Sequence, residues 1–155
     1  MNKKVICLCG APGSGKSTYL KTIPWLMNSQ GHVNPDIFHI DADDIRSKLP
    51  EYTGWNASAT HRETQDLVKD ILERLGEGDC KYDFIYDGTM NRADKYFELI
   101  NKAKKMGYKT YIIFMDVPYS VSKQRTLDRY KKRGRYVPME VIDVFSLYRN
   151  VRTYI

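Results

Sequence analysis

The chain has 155 residues, 42% hydrophobic and 28% charged, with a net charge of +6 at neutral pH. That length suits one compact domain, taken here as residues 1–155, with a sizeable core. No apolar stretch approaches a membrane span, and "MNKKVICLCG" lacks the long apolar region of a secretory signal, so a cytoplasmic protein with no membrane partner is expected.

Short apolar runs alternate with amphipathic segments, the pattern of βαβ units on a parallel sheet. "KVICLC" (4–9) reads as a strand covered on both faces. Cys7 and Cys9 share one face of it. With Cys80 they form no CxxC pair, and they read as buried free thiols rather than a metal or redox site. "GAPGSGKST" (10–18) follows, matching G-x-x-x-x-G-K-[ST] between a strand and a helix. Glycines let successive backbone N–H groups turn around an anion, and the next helix adds its positive end. The nucleotide-binding residues are thus Gly10, Ala11, Pro12, Gly13, Ser14, Gly15, Lys16, Ser17 and Thr18. Lys16 is expected to neutralise the β and γ phosphates of a nucleotide, ATP or GTP, and Ser17 to hold Mg²⁺.

"DIFHI" (36–40) is the second strand and runs into "IDADDIR". A carboxylate must take the acceptor hydroxyl's proton in phosphoryl transfer; Asp43 is the candidate. Arg46 is one helical turn on and suited to an acceptor phosphate. The same residues also read as an N-cap with a surface ion pair. The short helix stops at Pro50. In "EYTGWNASATHR" (51–62), Tyr52 or Trp55 is placed to stack on a base, and His61 and Arg62 to reach a phosphate; a loop packed by its aromatics fits equally well. Over 61–75, Leu67, Val68, Ile71, Leu72 and Leu75 follow helical spacing, with Gly76 as the stop.

"YDFIYD" (82–87) is the third strand. Its last residue, Asp87, reads as a Walker-B-type carboxylate for Mg²⁺ or as a cap. Thr89 and Arg92, just beyond, are assigned with Asp87 and Arg46 to the acceptor side. Asn91 is expected to cap a helix with Asp94 in its first turn. Its inner face is Ala93, Phe97, Ile100 and Ala103, and Gly107 ends it. "YKTYIIFMDV" (108–117) is the fourth strand. A basic helix over 119–132 and "RGRYVP" carry Arg125, Arg129, Arg133 and Arg135, which read as a lid over transferring phosphate. A last helix opens at Pro138 with Val141, Val144, Phe145 and Tyr148 inward. Right-handed crossovers make this an α/β, three-layer α/β/α fold with four parallel strands. Ligands then sit at the strands' carboxyl ends, at residues 10–17, 41–44, 87–89 and 116.

"GAPGSGKST", "DADDIRSKLPEY", "DGTMNR", "FMDVPYS" and "RYKKRGRYVP" occur in that order. The set resembles the zeta-toxin-like and polynucleotide-kinase-like group of small P-loop kinases. The resemblance implies a P-loop NTPase fold and an ATP:alcohol phosphotransferase. Asp43 matches the general base of a DDxR element and Arg46 its acceptor-phosphate arginine. Asp87 matches the carboxylate after the third strand. Lid arginines fall within 125–135: Arg129 and Arg133 are assigned with Lys16 to the transferring group, Arg125 and Arg135 to the nucleotide. The polynucleotide kinases imply a nucleic-acid 5′-hydroxyl as acceptor, the zeta toxins a UDP-activated amino sugar. A nucleotide-gated binding module, under a protein inhibitor or antitoxin, is the reading without transfer.

Overall fold

A nearly unbroken apolar run builds the central strand. In β1 (Lys4–Gly10) every residue after Lys4 is buried, because the strand is flanked by others and covered on both faces. The computed structural model describes residues 3–32, 34–77, 82–89, 92–134 and 137. Among them four parallel strands form one sheet, in which β2 (Ile37–Asp41) lies outside β3 (Asp83–Gly88), β3 beside β1, and β4 (Lys109–Met115) beyond β1. The α/β architecture and the parallel sheet are as the alternating pattern implies.

Period-two alternation splits the core by sheet face. Val5, Cys7 and Cys9 face one way, with Ile40 and Phe84, against Val68 of α3 (His61–Glu77) and Tyr96, Ile100 and Ala103 of α4 (Ala93–Lys105). Ile6 and Leu8 face the other way, with Ile85, against Leu20 of α1 (Lys16–Leu20) and Leu26 of a 3₁₀ turn (Pro24–Leu26). A short α2 (Ala42–Ser47) follows β2, and α5 (Tyr119–Arg133) follows β4.

Two helix faces differ from the sequence reading. On α4 the buried stripe is Tyr96, Ile100 and Ala103, while Ala93 and Phe97 are exposed. Tyr96 wins the inward position because its ring stacks at 5.0 Å on Tyr86 and its hydroxyl comes up against Gly88, where no Cβ intervenes. On α3, Val68 and Thr64 are buried and Leu67 is exposed. This helix also runs through Gly76 to Glu77 instead of stopping at the glycine. Cys7 and Cys9 are buried free thiols, and burial pushes both up to about 12. On β4, Tyr111, Ile112 and Phe114 remain exposed. The Leu75 side chain, Cys80, Asn91 and the helix expected from Pro138 lie outside the described residues. No helix among those described is long and apolar enough to cross a membrane.

Candidate active site

The loop after β1 closes on itself before α1 begins: Ser14 N–H donates to Ala11 O at 3.0 Å, and Gly15 takes a left-handed conformation as the N-cap. Helix α5 packs directly on this loop. Ser122 Oγ donates to the Pro12 carbonyl, Thr126 Oγ1 donates back to Ser122 O at 2.8 Å, and Arg125 Nη1 reaches to 3.5 Å from Gly13 O. Gly13 lies beneath the helix with φ of 76°, and a Cβ there would stand 2.6 Å from Ser122 O. The loop fits a polyphosphate. The buried Ser14 Oγ makes no hydrogen bond within the described residues. Lys16 Nζ donates to Gly10 O at 2.9 Å and Ala11 O at 3.3 Å. Burial lowers the Lys16 pKa, opposed by the charges of Asp87, Asp43 and Asp41 and reinforced by Arg129. Those side chains therefore share one electrostatic site with the lysine.

The carboxylates come from the ends of β2 and β3. Asp41 and Asp87 are register partners across the two strands. Asp41 caps α2, accepting from Asp43 N–H at 2.8 Å. Its pKa is raised by burial and by Asp87 and Asp43. Asp43, the next residue but one, projects an Oδ1 that Arg46 Nη1 meets at 2.9 Å, one helical turn on. Arg46 is 12% exposed and Asp43 44%. The Arg46 Nε atom is buried without a hydrogen bond among the described residues, so this guanidinium retains donor capacity. Asp44 points elsewhere and pairs with Lys48 at 2.7 Å on the exposed side.

Sequence reasoning missed His39. Its Nε2 lies 3.6 Å from Oδ2 of Asp87, a carboxylate only 5% exposed. That neighbour raises the imidazole's pKa, against the lowering effect of burial. The available signal was the H-x-D spacing, which places His39 and Asp41 on one strand face.

The outer half of α5 forms a basic groove of about 370 Å³ lined by Arg125, Asp128, Arg129, Lys132 and Arg133. The helix ends at Gly134 in a left-handed cap. The 51–60 loop meets it there: a Cβ added at Gly54 would stand 3.6 Å from Gly134 O. Asn56 fixes that loop, donating to Glu51 O at 2.7 Å and accepting from Thr53 N–H at 2.8 Å, and Tyr52 donates its hydroxyl to Gly54 O at 3.2 Å. Trp55 stands out from it, 71% exposed.

The zeta toxin family model matches residues 1–152. The chain belongs to the zeta toxin family. It is 32% identical over 117 residues to an adenylate kinase of Agathobacter rectalis, covering 73% of this chain and 53% of that protein. It is 28% identical over 138 residues to the L-seryl-tRNA(Sec) kinase of Methanococcus maripaludis, covering 89% and 49%. The chain thus spans about half the length of the curated relatives it matches. The fold is shared with a chain of the PezAT toxin–antitoxin system of Streptococcus pneumoniae at a TM-score of 0.69 and 23% identity, over 97% of this chain and 60% of that one. A chain of the Pnkp1/Rnl/Hen1 RNA repair complex superposes at 0.68 and 16% identity, over 99% and 47%.

In this zeta toxin family member the expected site residues are placed as follows along the fold. Lys16 feels the charges of Asp87, Asp43 and Arg129, and Asp43 pairs with Arg46 at the carboxyl end of β2. Ser17 and Thr18 are exposed on the first turn of α1, Thr89 lies half-buried just past β3, and Arg125 and Arg133 line the groove. Arg92 is turned away: it forks onto Asp94 at 3.1 and 2.8 Å on the exposed start of α4. His61 and Arg62 are exposed on the first turn of α3, and Asp116 is exposed just after β4. Arg135 lies outside the described residues.

Proposed function

We propose that the chain is a cytoplasmic P-loop kinase that moves the γ-phosphate of ATP to a hydroxyl of a nucleotide-containing acceptor, a polynucleotide 5′-hydroxyl foremost. One observation carries the reading: Asp43, paired with Arg46 at 2.9 Å, lies in the same electrostatic site as the P-loop lysine. A plain nucleotide holder has no need of a carboxylate and an arginine on the acceptor side.

The loop at 10–17 and Lys16 would hold the phosphates, and Ser17 with Asp87 would hold the ion. When bound, ATP supplies the transferable phosphoryl group and Mg²⁺ offsets the charge of its phosphates. Asp43 accepts the proton of the acceptor hydroxyl as that oxygen becomes the nucleophile. Arg46 orients Asp43 with one arm of its fork and would offer the other to the acceptor's own phosphate. Arg125, Arg129 and Arg133 present fixed positive charge where negative charge spreads during transfer. Thr89 would contact the acceptor, and Arg92 would join it only after releasing Asp94. Trp55, beside the end of the basic helix, supports a nucleobase as part of the acceptor. Relatives named adenylate kinase and L-seryl-tRNA(Sec) kinase fit such an acceptor.

Family membership favours a second reading, a kinase of a UDP-activated amino sugar, with a protein antitoxin as partner in the manner of the PezAT system. Transfer from γ-labelled ATP separates the two. A labelled 5′-hydroxyl oligonucleotide is expected; label on the UDP-sugar alone selects the second reading. ATP binding with no labelled product from either acceptor refutes both and leaves a nucleotide-gated module.

A further inference from the structure

Strands β2 and β3 bring an imidazole and two carboxylates together at their carboxyl ends. Alternation puts His39 and Asp41 on one face of β2, and the parallel register sets Asp41 beside Asp87 on β3. One donor atom from each of the three lies within 4.8 Å of the other two. Asp87 is buried, and its carboxylate has the His39 ring nitrogen at 3.6 Å. A buried carboxylate requires a cationic or hydrogen-bonding neighbour, and here that neighbour is itself a metal-ligating atom.

This donor set is not one that Mg²⁺ selects. Mg²⁺ takes oxygen ligands in a near-ideal octahedron and keeps several waters. An imidazole beside carboxylates suits first-row transition dications, whose affinity for nitrogen is higher. The cysteines of β1 do not compete: Cys7 and Cys9 face the opposite side of the sheet, among Val5, Phe84 and Ile40.

We propose that His39, Asp41 and Asp87 form a three-donor site for a first-row transition-metal dication, with Zn²⁺ as the probe ion. The site shares Asp87 with the Mg²⁺ position assigned above, so loading it withdraws that carboxylate from the nucleotide's ion. It stands on the donor set alone and does not depend on the phosphotransfer reading.

The test uses the full chain without nucleotide. Zn²⁺ alone is titrated against a chromophoric chelator, and Co²⁺ is added separately for visible bands that report nitrogen ligation. One equivalent of Zn²⁺ is expected to bind. His39→Asn and Asp41→Asn should each weaken it by about tenfold or more, and His39→Asn should change the Co²⁺ spectrum. His32→Ala, at an exposed residue of another loop, should leave Zn²⁺ affinity unchanged. Circular dichroism and ATP binding confirm that each variant is folded; asparagine at 41 can still cap α2, so that variant carries the test if His39→Asn does not fold. Failure of the wild-type chain to bind Zn²⁺ stoichiometrically overturns the proposal. So does binding that both variants retain in full.

Discussion

Gly13→Ala separates two costs that the loop imposes on a side chain. The first is conformational: φ is 76° at this position, and an alanine held in the left-handed region costs roughly 1–2 kcal/mol. The second is contact. A Cβ on Gly13 would stand 2.6 Å from the Ser122 carbonyl oxygen, 2.9 Å from Thr126 Oγ1 and 3.3 Å from Arg125 Cβ. The nearest of these is helix backbone, so α5 must shift as a body, and overpacking of that kind costs roughly 1–3 kcal/mol. The sum is about 2–5 kcal/mol, a large part of the ~5–15 kcal/mol typical of a small domain. Gly31 supplies the control: its φ is 77°, yet nothing lies within 4 Å of an added Cβ. Gly31→Ala should therefore lose only the conformational part, about 1–2 kcal/mol. Urea unfolding followed by circular dichroism gives both values, with the slope m unchanged. Equal losses in the two variants would show that α5 does not rest on the loop as described.

Asp43→Asn should lower transfer by about 10²–10⁴-fold while ATP affinity holds, because it removes the proton acceptor and leaves the phosphate cradle intact; equilibrium binding beside single-turnover kinetics measures both. Lys16→Ala should lower both, and equal loss of ATP affinity in the two variants would count against Asp43 as base. Arg46→Lys keeps the charge but not the fork, so KM for a phosphorylated acceptor should rise more than kcat falls; an unchanged KM would remove the acceptor role. The thiol of Cys7 sets an alkaline limit. Its pKa rises from 9.0 to about 12 on folding, so its contribution is complete below pH 9 and is lost as pH climbs toward 12. At about pH 10.5 the loss is ~2 kcal/mol. Cys9 carries a like rise, so Cys7→Ala should remove about half of the thiol-linked decline in urea stability between about pH 8 and 10.5, and an identical decline in the variant would contradict this.

The parts of the site that were legible in the sequence are those fixed by neighbours along the chain. The phosphate loop needs glycines at set spacing between a strand and a helix, and the DADDIR segment needs only one helical turn to join Asp43 to Arg46. What stayed hidden depends on register and on partners distant in sequence. His39 becomes part of the site only because β2 lies beside β3 with Asp41 opposite Asp87. Tyr96 faces inward in place of Phe97 because Gly88, eight residues earlier on a strand, leaves room for its hydroxyl. The approach of Gly54 to Gly134 likewise joins segments that no local periodicity links.

The docking of α5 also bears on the role proposed for its arginines. Ser122 anchors the helix to the phosphate loop through Pro12 O, with Thr126 packed over Gly13; Arg125 falls within one turn of that bond, and Arg129 is one turn beyond Arg125. Both arginines sit on the helix itself rather than on a loop, and in the proposed reaction charge already held in place stabilises a transition state most effectively. Arg133 is one turn beyond Arg129, just before the left-handed Gly134 that ends the helix. On the proposed phosphotransfer reading, charge stabilisation would fall to the anchored half of α5 and acceptor contact to the junction where Gly134 meets the 51–60 loop. Substitutions at 125 and 129 should then act on kcat, and substitutions at Trp55 or Gly134 on acceptor KM.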